Sequence, residues 1–179
     1  MKAKNILWQE TVKPVVVLLL ICLISGLVLA AVNFVTAPII AANEEAQAQA
    51  TYSALLPEAD HFSELSTTVD GVTNVLKADN GAGYIVVAAA RGYKGDVVAT
   101  VAFDNDGSIL DLSMTAADET VGIGTKVTEE DFTGQFSGMP AENFAYGDVD
   151  AVSNATYSSK AAVEAINLAI QAYQEVRGN

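Results

Sequence analysis

Tyr84-Ile85-Val86-Val87-Ala88-Ala89-Ala90, Gly92-Tyr93-Lys94-Gly95, Val97-Val98-Ala99-Thr100-Val101-Ala102-Phe103, Asp104-Asn105-Asp106-Gly107 and Ser108-Ile109-Leu110-Asp111-Leu112-Ser113-Met114 follow one another almost without a gap. Three apolar runs rich in β-branched residues, separated by two short glycine-bearing turns, read as an antiparallel meander. Asp104 to Gly107 has the acidic start of a calcium loop but lacks further acidic ligands at the required spacing. Aspartate and asparagine before glycine are what a tight hairpin needs, so the segment reads as a turn.

Downstream, Asp118-Glu119-Thr120-Val121-Gly122-Ile123-Gly124-Thr125-Lys126 carries two glycines one residue apart, which allow either a close backbone approach to a flat ligand or simply a turn. Residues 128 to 149 read as a short acidic helix or turn around Phe132 and Phe136, then an irregular loop through Gly138-Met139-Pro140. Phe144 and Tyr146 are available for packing, and core filling is the commoner use of such aromatics. The chain then enters Asp150-Ala151-Val152-Ser153-Asn154-Ala155-Thr156-Tyr157-Ser158-Ser159, followed by Val163, Ile166, Ile170 and Tyr173 at helical spacing. Thr156 therefore falls at a helix start, where unpaired N–H groups favour an anion. Hydroxyl residues there also serve as ordinary helix caps, and the residues alone leave both readings open. Asn154 tolerates left-handed backbone angles and can make the turn.

Upstream, Ala-Asn-Glu-Glu-Ala-Gln-Ala-Gln-Ala-Thr-Tyr reads as a polar helix running to about Leu56 and closed by Pro57. His61 follows in a polar loop and reads as a solvated side chain. From Pro14 to Asn43 no charged residue appears, and the stretch is long enough to cross a bilayer. Ala30-Ala31 could mark signal-peptide cleavage, yet the apolar run continues through Phe34, Val35, Ile39 and Ile40, which favours an anchor. Pro38 is expected to bend or end the span, Gly26 and Ser25 to permit close helix contact, and Trp8 to sit at headgroup level. The expected organisation is 1-13 as a cytoplasmic N-terminus, 14-42 as a transmembrane helix and 43-179 as an extracytoplasmic domain.

Composition fits that division. The 179 residues are 51% hydrophobic, more than a purely soluble domain usually carries. Lys2, Lys4 and Lys13 against Glu10 make the first 43 residues basic, so the net charge of −13 arises entirely beyond them. Lysines before the span and acid after it predict an inside N-terminus. So acidic a domain repels nucleic acid, which is excluded as a partner. One cysteine, Cys22, and one histidine, His61, cannot supply a disulfide framework, an iron–sulfur cluster or a Cys/His zinc site. Redox chemistry in this chain would need an organic carrier.

The 150–159 segment resembles the flavinylation motif of the FMN-binding domain family, D-x-x-[ST]-G-A-[TS] followed by x-T-S. Asp150, Ser153, Ala155 and Thr156 fall on the motif, Ser158-Ser159 match its continuation, and Asn154 replaces the usual glycine. Glu119, Thr120, Gly122 and Gly124 match the family's E-T-P-G-L-G loop, with Val121 for proline and Ile123 for leucine. The order of features is similar to the RnfG family, the G-type subunits of the Rnf complex, an ion-translocating ferredoxin:NAD oxidoreductase. The related C-type subunit of the sodium-pumping NADH:quinone reductase is the alternative, and a membrane-anchored interaction module without flavin is an alternative of another class.

The resemblance implies an α+β fold: one N-terminal transmembrane helix followed by an extracytoplasmic FMN-binding domain with an antiparallel sheet and flanking helices. It implies FMN joined covalently to Thr156 by a phosphoester bond, with Ser153, Asn154, Ala155, Ser159, Glu119, Thr120, Gly122, Ile123 and Gly124 as cofactor-binding residues. Glu119 and Thr120 would orient or tune the flavin ring, and no residue would act as a catalytic base. Other Rnf subunits and a maturing flavin transferase are the implied partners. With no nucleotide-binding fingerprint and no ionisable group inside the span, the chain is expected neither to bind NAD nor to conduct ions alone.

Overall fold

A computed structural model describes residues 12–178; Trp8 and most of the expected 1-13 segment lie outside them. The chain divides into two units, at residues 48 and 49. The first is helical. Helix α1, Lys13–Leu55, is assigned without interruption through Pro38, so proline does not end it. Among the described residues it is the one helix long and apolar enough to cross a membrane. Leu27, Leu29 and Phe34 stand exposed along it, and so do Cys22 and the other apolar side chains of the span. Exposed residues of this kind, uninterrupted by charge, suit a hydrocarbon surround.

The second unit contains the last residues of α1 and a five-stranded antiparallel sheet in sequential order: β1 Phe62–Leu65, β2 Val72–Ala78, β3 Tyr84–Arg91, β4 Asp96–Phe103 and β5 Ile109–Thr115. The three expected strands are β3 to β5, with ends shifted by one residue. The first two strands were not anticipated. FSEL and VTNVLKA are short and largely polar, and their pairing places only Val75 and Ala78 among fully buried residues. The expected turns are present: Gly92 N–H donates to the Gly95 carbonyl at 2.8 Å, and Asp104 Oδ1 accepts from the N–H groups of Asp106, Gly107 and Ser108 at 2.7–2.9 Å.

Strand alternation divides the sheet into two faces. Tyr84, Val86, Ala88, Val97, Ala99, Val101 and Phe103 share the larger core with the C-terminal helix. Ile85 and Ala102 point the other way, to a smaller cluster with Leu55, Leu56 and Ala78. Four short elements follow β5: 3-10 turns at Gly124–Thr128, Gly134–Phe136 and Tyr146–Asp148, and helix α2, Glu130–Thr133. Phe132 and Phe136 are buried against each other, with Phe144 packed edge-on to Phe136, so these aromatics fill the core as expected. Helix α3, Thr156–Arg177, lies on β3 and β4. Val163, Ile166, Ile170 and Tyr173 are all buried, as their spacing requires, and alanines 161, 162, 165, 169 and 172 let the helix approach closely.

Candidate functional site

The turn between β3 and β4, the 119–124 loop and the start of α3 are remote in sequence but meet at one end of the sheet. Tyr93, Glu119, Thr120, Ile123, Gly124, Asn154, Ala155, Thr156, Tyr157 and Ser158 line an open cleft of about 340 Å³ between them. Both sequence motifs therefore contribute to one site, which periodicity alone could not have established.

Thr156 is the first residue of α3 and is exposed. The residue before it, Ala155, occupies the cap position with φ −117° and ψ 41°, and no side chain caps the helix. The hydroxyl residues here are therefore not serving as its cap. The first-turn N–H groups remain available at the positive end of a helix 22 residues long. Asn154 is the one non-glycine residue with positive φ, 64°, among the described residues. It stands where the family motif has glycine, in a left-handed conformation that asparagine adopts at small cost. A β-branched residue has no such tolerance, so Asn154→Val is expected to lower unfolding free energy by about 1–2 kcal/mol while Asn154→Gly does not, as read by urea denaturation.

The opposite wall is a tight turn in which the Thr120 carbonyl accepts from the N–H groups of Ile123, Gly124 and Thr125 at 2.8–3.3 Å. Gly122, with φ 75°, donates its N–H to Thr125 Oγ1 and stands at the exposed tip, outside the cleft lining. Two other expected residues also lie outside that lining. Ser159 is fully buried, and its hydroxyl accepts from Val152 N–H at 3.1 Å, fixing the loop that enters α3. Ser153 borders a neighbouring depression with Lys126, Glu129, Asp131, Phe132, Asp150, Ala151 and Val152.

Glu119 is 4% exposed, yet its carboxylate is ionised at little cost because both oxygens are satisfied. Oε1 accepts from Lys94 N–H at 2.9 Å and Gly95 N–H at 3.3 Å; Oε2 accepts from the Ser158 hydroxyl at 2.8 Å. Burial is the largest influence and pushes the carboxyl up. The Ser158 hydroxyl and the N–H groups of Lys94, Gly95 and Tyr93 together outweigh it and hold the group below the usual carboxylate range. A carboxyl with a lower pKa folded than unfolded adds stability above its unfolded value, and loses it as pH falls through the folded value. Acidification below the ordinary glutamate range should therefore destabilise the wild type more steeply than Glu119→Gln in denaturant titrations across pH. Equal slopes would remove the carboxylate from the account.

Tyr93 and Tyr157 are cleft residues that sequence reasoning did not single out, and Ser158, matched there only to the continuation of the motif, joins them. Tyr93 and Tyr157 are exposed, with ring centroids 6.0 Å apart and planes tilted by 40°. An aromatic at the tip of a glycine turn and another next to the motif threonine were the available signals. Among the described residues no group of three or more His, Cys, Asp or Glu side chains could hold a metal.

The cleft suits a flat group tethered by an anion: aromatic and aliphatic side chains line it, amides without a capping partner lie at one end, and an exposed hydroxyl stands beside them. Residues 92–171, from the first turn to α3, match the FMN-binding domain family, and residues 1–55 match the RnfG N-terminal region. The class is thus a flavoprotein with an FMN-binding domain behind a single apolar N-terminal helix.

The G-type subunit of the proton-translocating ferredoxin:NAD(+) oxidoreductase complex of Clostridium ljungdahlii is 30% identical over 158 residues, covering 84% of each chain. Its counterpart in the ion-translocating oxidoreductase complex of Methanosarcina acetivorans is 27% identical over 90% of this chain and 94% of its own. The corresponding subunit of the Na(+)-translocating ferredoxin:NAD(+) oxidoreductase complex of Acetobacterium woodii is 26% identical, over 94% of each. The chain belongs to this family, the G-type subunits of the Rnf ion-translocating oxidoreductases. The C-type subunit of the Na(+)-translocating NADH-quinone reductase of Parabacteroides distasonis shares the fold, with a TM-score of 0.50 and 20% identity over 60% of this chain and 62% of that one.

Proposed function

We propose that this chain is the electron-transfer flavoprotein subunit of an Rnf-type complex, carrying FMN covalently on Thr156 through a phosphoester bond. The carrying observation is the position of Thr156: an exposed hydroxyl on the first residue of an uncapped helix, at the rim of a cleft whose far wall is the Thr120–Gly124 turn. Bound FMN would supply one- and two-electron transfer. Thr156 is an attachment point; the first-turn amides of α3 would hold the phosphodiester charge, which the domain's acidic balance would otherwise oppose. Ile123 and the Tyr93–Tyr157 pair would present apolar surface to the ring, and Thr120 would fix the loop carrying Ile123.

Since a phosphate monoester and an alcohol do not condense unaided in water, formation of the bond requires a flavin transferase and an activated flavin diphosphate. Phosphorus exchanges its bond to the leaving nucleotide for one to the Thr156 oxygen, whose proton is released. The other Rnf subunits would supply the electron donor and acceptor in transfer from reduced ferredoxin to NAD+. The three relatives name protons, sodium or simply ions as the translocated species. Intact mass of the chain co-expressed with a flavin transferase tests the linkage: an increase by one FMN less water is expected, and the bare mass rejects it.

The basic residues before the span and the acidic domain after it support a cytoplasmic N-terminus and an extracytoplasmic cleft. A cysteine introduced at exposed Tyr93 should react with a membrane-impermeant maleimide in intact cells. Labelling only after lysis rejects that orientation.

A further inference from the structure

Glu119 was expected to orient or tune the flavin, but its two oxygens are already committed. Oε1 is held by the β3–β4 turn at Lys94 and Gly95, and Oε2 by Ser158 in the first helical turn after Thr156. One side chain thus joins three segments: its own loop, the hairpin and the start of α3.

The surrounding glycines bear the same imprint. A Cβ at Gly92 would lie 2.5 Å from Oε1, and one at Gly124 would lie 2.5 Å from Oε2 and 2.7 Å from Ser158 Oγ. Neither glycine has positive φ, so their backbone angles do not call for glycine. Space for the carboxylate does. Gly95 similarly leaves room for Asp118, where a Cβ would come within 2.3 Å of the Asp118 Cβ. The sequence therefore reserves three glycines for the passage of the 118–119 segment between the turn and the helix.

We infer that Glu119 is a positioning residue: its carboxylate fastens the 92–95 turn to the first turn of α3 and so holds Thr156 at the rim of the cleft, acting on FMN attachment through Ser158 and not by meeting the flavin. The inference rests on the assignment of Thr156 as the attachment point, although its local part can be tested without any flavin. Glutamine preserves the connections, since its oxygen can accept from Lys94 and Gly95 and its amide can donate to the Ser158 oxygen. Alanine removes them all, leaving the Ser158 hydroxyl and two N–H groups without their acceptor.

Two measurements on the full-length chain in detergent decide it. In the flavin-free chain, Glu119→Ala should speed amide hydrogen exchange about ten-fold or more at Lys94 and Gly95, whose N–H groups donate to the carboxylate, and at Ser159, whose N–H closes the first turn of α3 on the Ala155 carbonyl, with β2 unchanged, and Glu119→Gln should not. Equal acceleration in β2 would mean general loosening and would overturn the positioning role. With a flavin transferase and its flavin substrate, Glu119→Ala should slow FMN incorporation about ten-fold and Glu119→Gln should restore most of the rate. Wild-type incorporation by Glu119→Ala, or a glutamine variant as slow as alanine, would overturn it. If Glu119→Ala does not fold, Ser158→Ala, which cuts only the link to α3, should slow incorporation and speed exchange at Ser159 but not at Lys94 or Gly95; wild-type behaviour in both overturns the inference. A wild-type chain that takes no FMN would refute the Thr156 assignment, while the exchange pattern would still decide the role of Glu119.

Discussion

Thr156→Ala is expected to abolish covalent FMN, giving a dark band under ultraviolet light on a denaturing gel where the wild type fluoresces. The reason is chemical: the phosphoester needs a hydroxyl oxygen, and the serine hydroxyls of the same segment are differently placed. Ser158 and Ser159 are buried, the first donating to Glu119 and the second accepting from Val152. Ser153 is exposed but borders the neighbouring depression. Thr156→Ser keeps the oxygen at the same helical position and should retain the fluorescent band. Exposure of Thr156 means that neither variant should unfold the domain, since surface substitutions away from special features usually change stability by about 0.5 kcal/mol or less. A fluorescent band from Thr156→Ala would move the linkage elsewhere.

The largest expected stability effect lies at Tyr173. Its ring is 1% exposed, stacked on Phe103 with centroids 4.4 Å apart and planes 10° from parallel, and edge-on to Tyr84 at 5.5 Å. Its hydroxyl donates to the Asp104 carbonyl at 2.8 Å, tying α3 to the β4–β5 turn. Tyr173→Ala removes the aromatic centre of the core between sheet and helix and should cost about 3–5 kcal/mol. Tyr173→Phe keeps the packing and loses one hydrogen bond, for about 1 kcal/mol. Urea unfolding of the full-length chain followed by far-ultraviolet circular dichroism would read both. Alanine and phenylalanine variants of equal stability would show that the ring contributes little beyond its hydroxyl.

These two residues differ in how they could be found. Tyr173 belongs to a helical stripe that begins at Val163, and a stripe is visible wherever apolar residues recur every three or four positions. Thr156 stands out through resemblance to a motif; composition allowed it to be merely a cap. The structure gives the cap position to Ala155, leaving the threonine exposed on the first turn. The 119–124 loop was likewise legible as a pattern, but the hydrogen bonds of Glu119 to Lys94, Gly95 and Ser158 were not.

Local order in this chain follows from sequence: the apolar span, strands β3 to β5 with their turns, and the buried face of α3 are set by composition and spacing within a few residues. Pairing and convergence do not. β1 and β2 lack long apolar runs, and they gain their place because β3 offers its edge to β2 and β2 in turn to β1. The bond between Glu119 and Ser158 spans 39 positions and exists only after the meander has formed and α3 has packed across it. Periodicity records which side of an element is apolar, whereas the partner of a buried carboxylate is chosen by the closure of the whole fold.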